Sequence, residues 1–318
     1  MTDFNAYKLS RAEDRELRDE IKRIVLEHAP ITVRGVYYQC VLSEKLPFLS
    51  KDSGGSKRNY VLVQARLKHL RKVGVISPEA VVDPGYSARV RNRWSCLEQF
   101  ALDAPLIYKH DVWAGYQVRP LVLLEKEGQI PVYEQHAATY GVDVWACKGY
   151  SSVSNLQALA EHIKSLKQHV DVLVCADWDP SGCDWPRAAE KGLKDLLSGS
   201  EYQVRFRRIL VTQDDMARLR HTVGVKVAKP SDPRTANWLS DYCCSVDDEN
   251  VVEMDALAPN KARKRLQSIY EGMRMVEDLH WNLSKDSELL AQQRAKIEQV
   301  LAALQSEQFS RTLCAGEK

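Results

Sequence analysis

Apolar residues recur along this chain with two different periods, and the change from one to the other divides it. Near the N-terminus the spacing is helical. Leu17, Ile21, Ile24, Val25 and His28 share one face, behind Ser10 and Glu13, a capping-box pair that opens a helix. Pro30 ends that helix, and Thr32 is a good N-cap for a short second one over 33–42. A Gly/Ser-rich loop, 51–57, precedes a third helix over about 58–73 that Gly74 stops. Residues 80–83 and 84–90 read as two short strands joined by a turn with a basic tip. Three helices and a small β-wing predict a winged-helix domain over residues 1–95.

Past a linker at 96–117 the pattern becomes short apolar runs alternating with helical ones. LVLLE (121–125), VDVWACKG (142–149), DVLVCAD (171–177) and QVRFRRILV (203–211) are strand-like, and helical segments follow the first three. Such βα units predict an α/β domain over 118–230 with a parallel, helix-covered, Rossmann-like sheet. A mainly helical extension, 231–318, follows. It opens with a loop, KPSDPRTANW, and ends in two stretches whose apolar faces are Leu266, Ile269, Tyr270, Met273, Val276 and then Leu290, Ile297, Leu301, Leu304. These faces suit packing on the α/β domain or on a second protomer.

Charge sharpens this division. The total is +2, yet residues 1–95 hold 18 Lys and Arg against 11 Asp and Glu, a net of +7 that leaves −5 for the remainder. A basic front half suits a polyanion, and an acidic rear half suits a carboxylate site. The eight cysteines form no CxxC pair, so they read as structural thiols in a reducing compartment. No apolar run approaches the roughly 20 residues that span a bilayer, and the polar N-terminus does not read as a signal peptide. A cytoplasmic location is the expectation.

The candidate chemistry sits at strand ends, where ligands bind in open α/β sheets. Glu125 follows LVLL, and Asp177 and Asp179 follow VLVCA, so two strands deliver three carboxylates to one edge. Mutual repulsion raises their pKa values, and a divalent cation relieves it; an all-oxygen donor set suits Mg²⁺. Ser181 and Gly182 form a turn into a helix whose N-terminus can take a phosphate, and Gly149 ends another strand where a backbone can approach closely. A phosphoaspartyl phosphatase also places DxD after a strand, but Trp178 and Pro180 suit its turn poorly. Walker A and GxGxxG loops are absent.

In the front half, Arg58, Arg66, Lys68, Arg71 and Lys72 give the third helix the charge pattern of a helix lying along a phosphate backbone, and Arg89 and Arg91 extend it into the wing. On the second helix Val33, Val36, Tyr37, Cys40 and Val41 form one stripe. Tyr38 lies about 130° from its centre, with Arg34 one turn earlier on the same side. An exposed Tyr beside an Arg is either a nucleophile with a phosphate-gripping cation or a simple stacked pair.

Glu125 at a strand end, the KGYSS run and ADWDPSG together resemble the Toprim domain of topoisomerases, primases and certain nucleases. With the Arg34-Gly-Val-Tyr37-Tyr38 sequence ahead of it, the arrangement resembles the A subunit of topoisomerase VI and the meiotic double-strand-break transesterases. VEMDAL (252–257) is similar to a further segment of that family. The resemblance implies a winged helix joined to a Toprim domain, with Tyr38 attacking a DNA phosphate to leave a 5′-phosphotyrosyl link. It also implies Arg34 orienting that phosphate and Mg²⁺ held by Glu125, Asp177 and Asp179. It implies double-stranded DNA as partner, a homodimer in which tyrosine and metal site come from different protomers, and a separate ATPase subunit for any strand passage. A hydrolytic Toprim nuclease, in DNA processing or phage defence, and a non-catalytic DNA-binding or assembly factor are the competing expectations.

Overall fold

In the computed structural model, the residues described are 9–49, 56–82, 93–147, 153–219, 226–242, 250–277 and scattered positions between 291 and 302. Helix α1 (Arg11–His28) starts where the capping box puts it. Ser10 Oγ accepts from the Glu13 amide, and the Glu13 carboxylate accepts from the Ser10 amide. Strand β1 (Ile31–Thr32) leads into α2 (Val33–Leu42), whose N-cap Thr32 accepts from the Gly35 amide at 2.9 Å. Helix α3 (Ser56–Lys72) packs on both, closing a core of Leu17, Ile21, Ile24, Val36, Cys40, Val63 and Leu67. Val36 and Cys40 are fully buried and Tyr37 packs against this core, as the helical spacing predicts.

Strand β2 (Val81–Val82) pairs in parallel with β1. Residues 80–83 are predicted to pair with a wing strand at 84–90, but that second segment lies outside the described residues, with Arg89 and Arg91. What the structure adds is a clasp that ties the chain after α3 back to the start of α2.

Helix α4 (Leu97–Ile107) falls in the segment expected as a linker. The chain divides into two compact units, residues 1–86 with 116–270 and residues 87–115 with 271–318. In the second unit Trp113 is fully buried, and the Arg274 guanidinium lies over its ring, 5.2 Å from the centroid.

The first unit also holds the α/β part. Strands β3 (Val118–Leu124), β4 (Asp143–Ala146), β5 (His169–Cys175) and β6 (Val204–Leu210) form one parallel sheet in the order β4-β3-β5-β6. Helices α5 (Ile130–Thr139), α6 (Val153–Leu166) and α7 (Pro180–Leu196) follow β3, β4 and β5. The central strands β3 and β5 are buried along nearly their whole length, as their unbroken apolar runs require. Leu121, Leu123, Leu159, Ile163, Val172, Trp185 and Leu193 fill one side of the sheet. Asp171 is the polar exception; it is fully buried and held by Arg205 and Arg207 from β6.

Helix α8 (Gln213–Leu219) follows the sheet. Strand β7 (Lys226–Val227) then pairs antiparallel with β8 (Asn250–Val251), and α9 (Thr235–Tyr242) lies between them. The turn signals of KPSDPRTANW predict a loop through TANW. Trp238 instead anchors a helical turn, buried to 3% exposure. Helix α10 (Pro259–Glu277) closes the set, with Leu266 and Tyr270 buried. Most of the second predicted C-terminal stretch lies outside the described residues.

Candidate functional site

The sheet register brings β3 and β5 level at Leu124 and Cys175, and the ladder runs one step further, the Glu125 amide donating to the Cys175 carbonyl at 3.1 Å. Glu125 and Asp177 therefore emerge side by side. The Asp177 amide donates to Glu125 Oε2 at 2.9 Å. Asp177 Oδ1 accepts from the Met254 amide at 2.8 Å, and its Oδ2 lies 2.6 Å from Lys126 Nζ. Asp179 is the N-cap of α7, its Oδ1 accepting from the Gly182 amide at 2.6 Å and from Ser181 Oγ at 2.7 Å. The Gly182 amide, expected to face a phosphate, is thus already donated to the cap. Gly182 has a steric reason to be glycine: a Cβ there would lie 2.3 Å from the Asp177 carbonyl oxygen and 3.1 Å from Glu125 Oε2.

Arg208 on β6 braces the loop between Ala176 and Gly182. Its guanidinium donates to the carbonyls of Gly182 (2.9 Å), Val211 (2.6 Å) and Asp177, and sits over the Trp178 ring. Trp178 exchanges two backbone hydrogen bonds with Val252, which carries the 252–257 segment onto the same edge. Glu253 and Asp255 join the carboxylates in this way. Lys126 Nζ lies 3.9 Å from an oxygen of each.

The same segment receives α2. Arg34 Nε lies 3.0 Å from Glu253 Oε2, Thr32 Oγ1 donates to Asp255 Oδ1, and Gln39 donates to the Ala256 carbonyl at 3.1 Å. Gln129 adds a second bond to Asp255, at 2.7 Å. Tyr38 was expected to point to solvent. It is half-buried, because α2 has a second packing surface that its own apolar stripe does not reveal.

Burial and charge crowding set the electrostatics. Burial first, then the Asp177 carboxylate, push Glu125 up to about 7. Burial also raises Asp177, against the opposing pull of Lys126. For Lys126 burial works against the charged form, but Asp177 outweighs it and the ammonium is held above its usual range. Burial, reinforced by Glu253, moves the Tyr38 phenol well up, against the pull of Arg34.

The raised Glu125 value carries a sign. Its protonated form favours the fold fully below about pH 4.5, and that contribution is lost as pH rises through about 7. Glu125→Gln keeps an acceptor for the Asp177 amide and cannot ionise. In chelator it should exceed the native protein by about 3 kcal/mol at pH 8 and by less than about 1 kcal/mol at pH 5, at 1.36 kcal/mol per pKa unit. Urea unfolding at the two pH values checks this; equal differences at both would remove the electrostatic account.

Among the described residues, no group of three or more His, Cys, Asp or Glu side chains is arranged to hold a metal ion. Glu125, Asp177 and Asp179 do meet at one edge as expected, but their oxygens are engaged by backbone amides, Ser181 and Lys126. Their chemistry still fits Mg²⁺: the donors are hard oxygens, and burial with the neighbouring Asp177 charge pushes Glu125 towards neutrality, a cost that a divalent cation would relieve.

Of the basic residues named on α3, Arg58, Lys68 and Lys72 are exposed and Arg71 is half-buried. Arg66 has another task. It pairs with Asp14 of α1 at 2.7 Å, and Asp14 also pairs with Arg18, so Arg66 staples two helices together. Gly149 lies outside the described residues. Sequence reasoning missed Lys126, Arg208, Glu253 and Asp255 as site residues. VEMDAL flagged the segment of the last two, and the Glu-Lys pair at 125–126 was the available hint for the first.

Fold and site together define a parallel α/β domain with an acidic carboxyl edge, onto which a helix bearing Arg34 and Tyr38 is docked. No protein-family model matches the chain, and a comparison with curated proteins finds no match.

Proposed function

We propose that this protein is a Mg²⁺-dependent, DNA-cleaving transesterase of the topoisomerase VI A type, a winged helix joined to a Toprim domain, with Tyr38 as nucleophile. The observation that carries this reading is the docking of α2 on residues 253–256. That contact puts Tyr38 and Arg34 beside the segment that also meets Asp177 and Lys126. Chemistry is implied by the convergence of a phenol, a guanidinium and a strand-end carboxylate set on one edge.

In the proposed step the Tyr38 Oη forms a bond to a backbone phosphorus as the bond from phosphorus to the 3′-oxygen breaks. The phenolic proton is lost to solvent hydroxide, since burial and Glu253 hold the phenol above its ordinary range, and the leaving 3′-oxygen takes a proton from water. Arg34, already beside Glu253, orients the phosphate and offsets its developing charge. Mg²⁺ held by Glu125, Asp177 and Asp179 would supply further charge stabilisation at the phosphate and the departing oxygen. The exposed Arg58, Lys68 and Lys72 on α3 suit a double-stranded DNA backbone. Here Tyr38 meets the acidic edge of its own chain, so a homodimer serves to cut the second strand, and a separate ATPase subunit serves any strand passage. Among the described residues no helix is long and apolar enough to cross a membrane.

One observation favours a second reading. A phenol shifted upward by burial and by Glu253 resists ionisation, which suits a hydrolytic nuclease in which water, not Tyr38, attacks. Trapping separates the two. Supercoiled plasmid is incubated with the full chain and Mg²⁺, then denatured in detergent. Protein attached to 5′ ends, lost in chelator, is the expected result. Cut DNA with free ends makes the protein a nuclease, and DNA bound but never cut removes both readings.

A further inference from the structure

Lys126 lies in the middle of the acidic edge. Its Nζ is 2.6 Å from Asp177 Oδ2 and 3.9 Å from an oxygen of both Glu253 and Asp255, so one ammonium is shared among three carboxylates. These carboxylates are poorly hydrated: the side chains of Asp177, Asp255 and Glu253 are 8%, 5% and 19% exposed. Buried like charges at such spacing need a counter-charge, and the chain supplies its own.

The two oxygens of Asp177 are engaged differently. Oδ1 is bound by the Met254 amide, part of a backbone fixed by the Trp178–Val252 bridge and by the α2 contacts. Oδ2 is bound by a side chain on four rotatable bonds that is 35% exposed. Only the second partner can leave without unpicking the fold.

We propose that Lys126 is a resident counter-ion that a divalent cation must displace from Asp177 Oδ2, so that the metal-free site is held together by the same charge that opposes metal entry. This inference rests on the reading of Glu125, Asp177 and Asp179 as a cation-binding set. Displacement moves the ammonium outward from the carboxylates toward the open side of the edge, where a DNA phosphate would approach. Cation and DNA then favour each other's binding, since each relieves a cost imposed by the other's absence.

The test is calorimetric titration of the full chain with Mn²⁺, without DNA, on the native protein, Lys126→Met and Lys126→Arg. The Met variant keeps the stem and removes the charge, and is expected to bind Mn²⁺ about tenfold more tightly, the effect of roughly one pKa unit of interaction. The Arg variant keeps the charge and should stay within about twofold of native. Melting in chelator should show the Met variant less stable than native and more strongly raised by Mn²⁺. Lys126→Gln reads the same quantity if the Met variant does not fold. Equal or weaker Mn²⁺ binding by the neutral variants overturns the displacement role and leaves the cation site standing. Heat from none of the proteins overturns both.

Discussion

Tyr38→Phe is expected to abolish protein–DNA linkage and to reduce plasmid cleavage by at least about a thousandfold, with DNA affinity unchanged. The variant removes one oxygen and leaves the ring, which rests against Tyr37 with centroids 5.3 Å apart. Loss of an obligatory nucleophile is a loss of the whole covalent route, and a thousandfold change corresponds to about 4 kcal/mol in the barrier. Folding should be affected little. The hydroxyl sits close to Glu253 and Asp255 in a half-buried position, where both carboxylates disfavour its ionised form. The same feature predicts the pH profile of the native protein. With the phenol held well above its ordinary value, attack by phenolate requires base, so the single-turnover rate should climb about tenfold per pH unit between roughly pH 7 and 9. Gel analysis of linked and unlinked ends, with DNA binding measured in chelator, checks each part. A Phe variant that still cuts at the native rate would assign the activity to water and leave Tyr38 a packing residue.

Much of this arrangement is local and therefore legible in the sequence. The capping box at Ser10 and Glu13, the Thr32 cap and the four apolar strand runs each depend on near neighbours, and each lies where its pattern places it. The meeting of Glu125 with Asp177 also followed from pattern, because parallel strands of similar length end at a common edge. What the pattern missed depends on contacts far apart along the chain. Thr32 and Asp255 are separated by 223 residues and Asp177 and Met254 by 77, and no periodicity announces either pair. Tyr38 shows the consequence. A helical wheel finds the face a helix turns to its own domain, but not a second face covered by a segment from elsewhere. Arg66 fails in the opposite direction. Its charge matched the exposed residues of α3, and only the packing of α1 shows that Asp14 takes it up. Lys126 carries no local signal, since a lysine after a strand-end glutamate is usually solvent-facing; three carboxylates converging from two other segments turn it inward.

Arg263→Met should be the most damaging single change to stability, costing about 3–5 kcal/mol, although Arg263 lies outside the acidic edge. Its guanidinium is buried and donates to four backbone carbonyls: His28 at 3.0 Å, Ala29 at 3.1 Å, Pro30 at 3.2 Å and Val132 at 3.1 Å. Burial pulls its pKa down, with Tyr133 in partial opposition, so its charge rests chiefly on carbonyl dipoles. The first three acceptors run from the last residue of α1 through the two residues that join it to β1. One side chain from α10 gathers all three carbonyls. Hydrogen bonds from a charged donor contribute about 1.5–3 kcal/mol each in isolation, and a buried acceptor left without one costs about 1–3 kcal/mol; relaxation of the turn keeps the total below the sum. Arg263→Lys, with a single ammonium in place of a planar fork, should recover less than half of the loss. The turn leads within two residues to Thr32, the cap that Asp255 holds, so the variant should also loosen α2 on the 253–256 segment. Urea unfolding measures the first effect, and amide exchange across residues 31–42 measures the second. Loss of stability with unchanged exchange there would confine Arg263 to the core and separate the placement of Tyr38 from the turn before it.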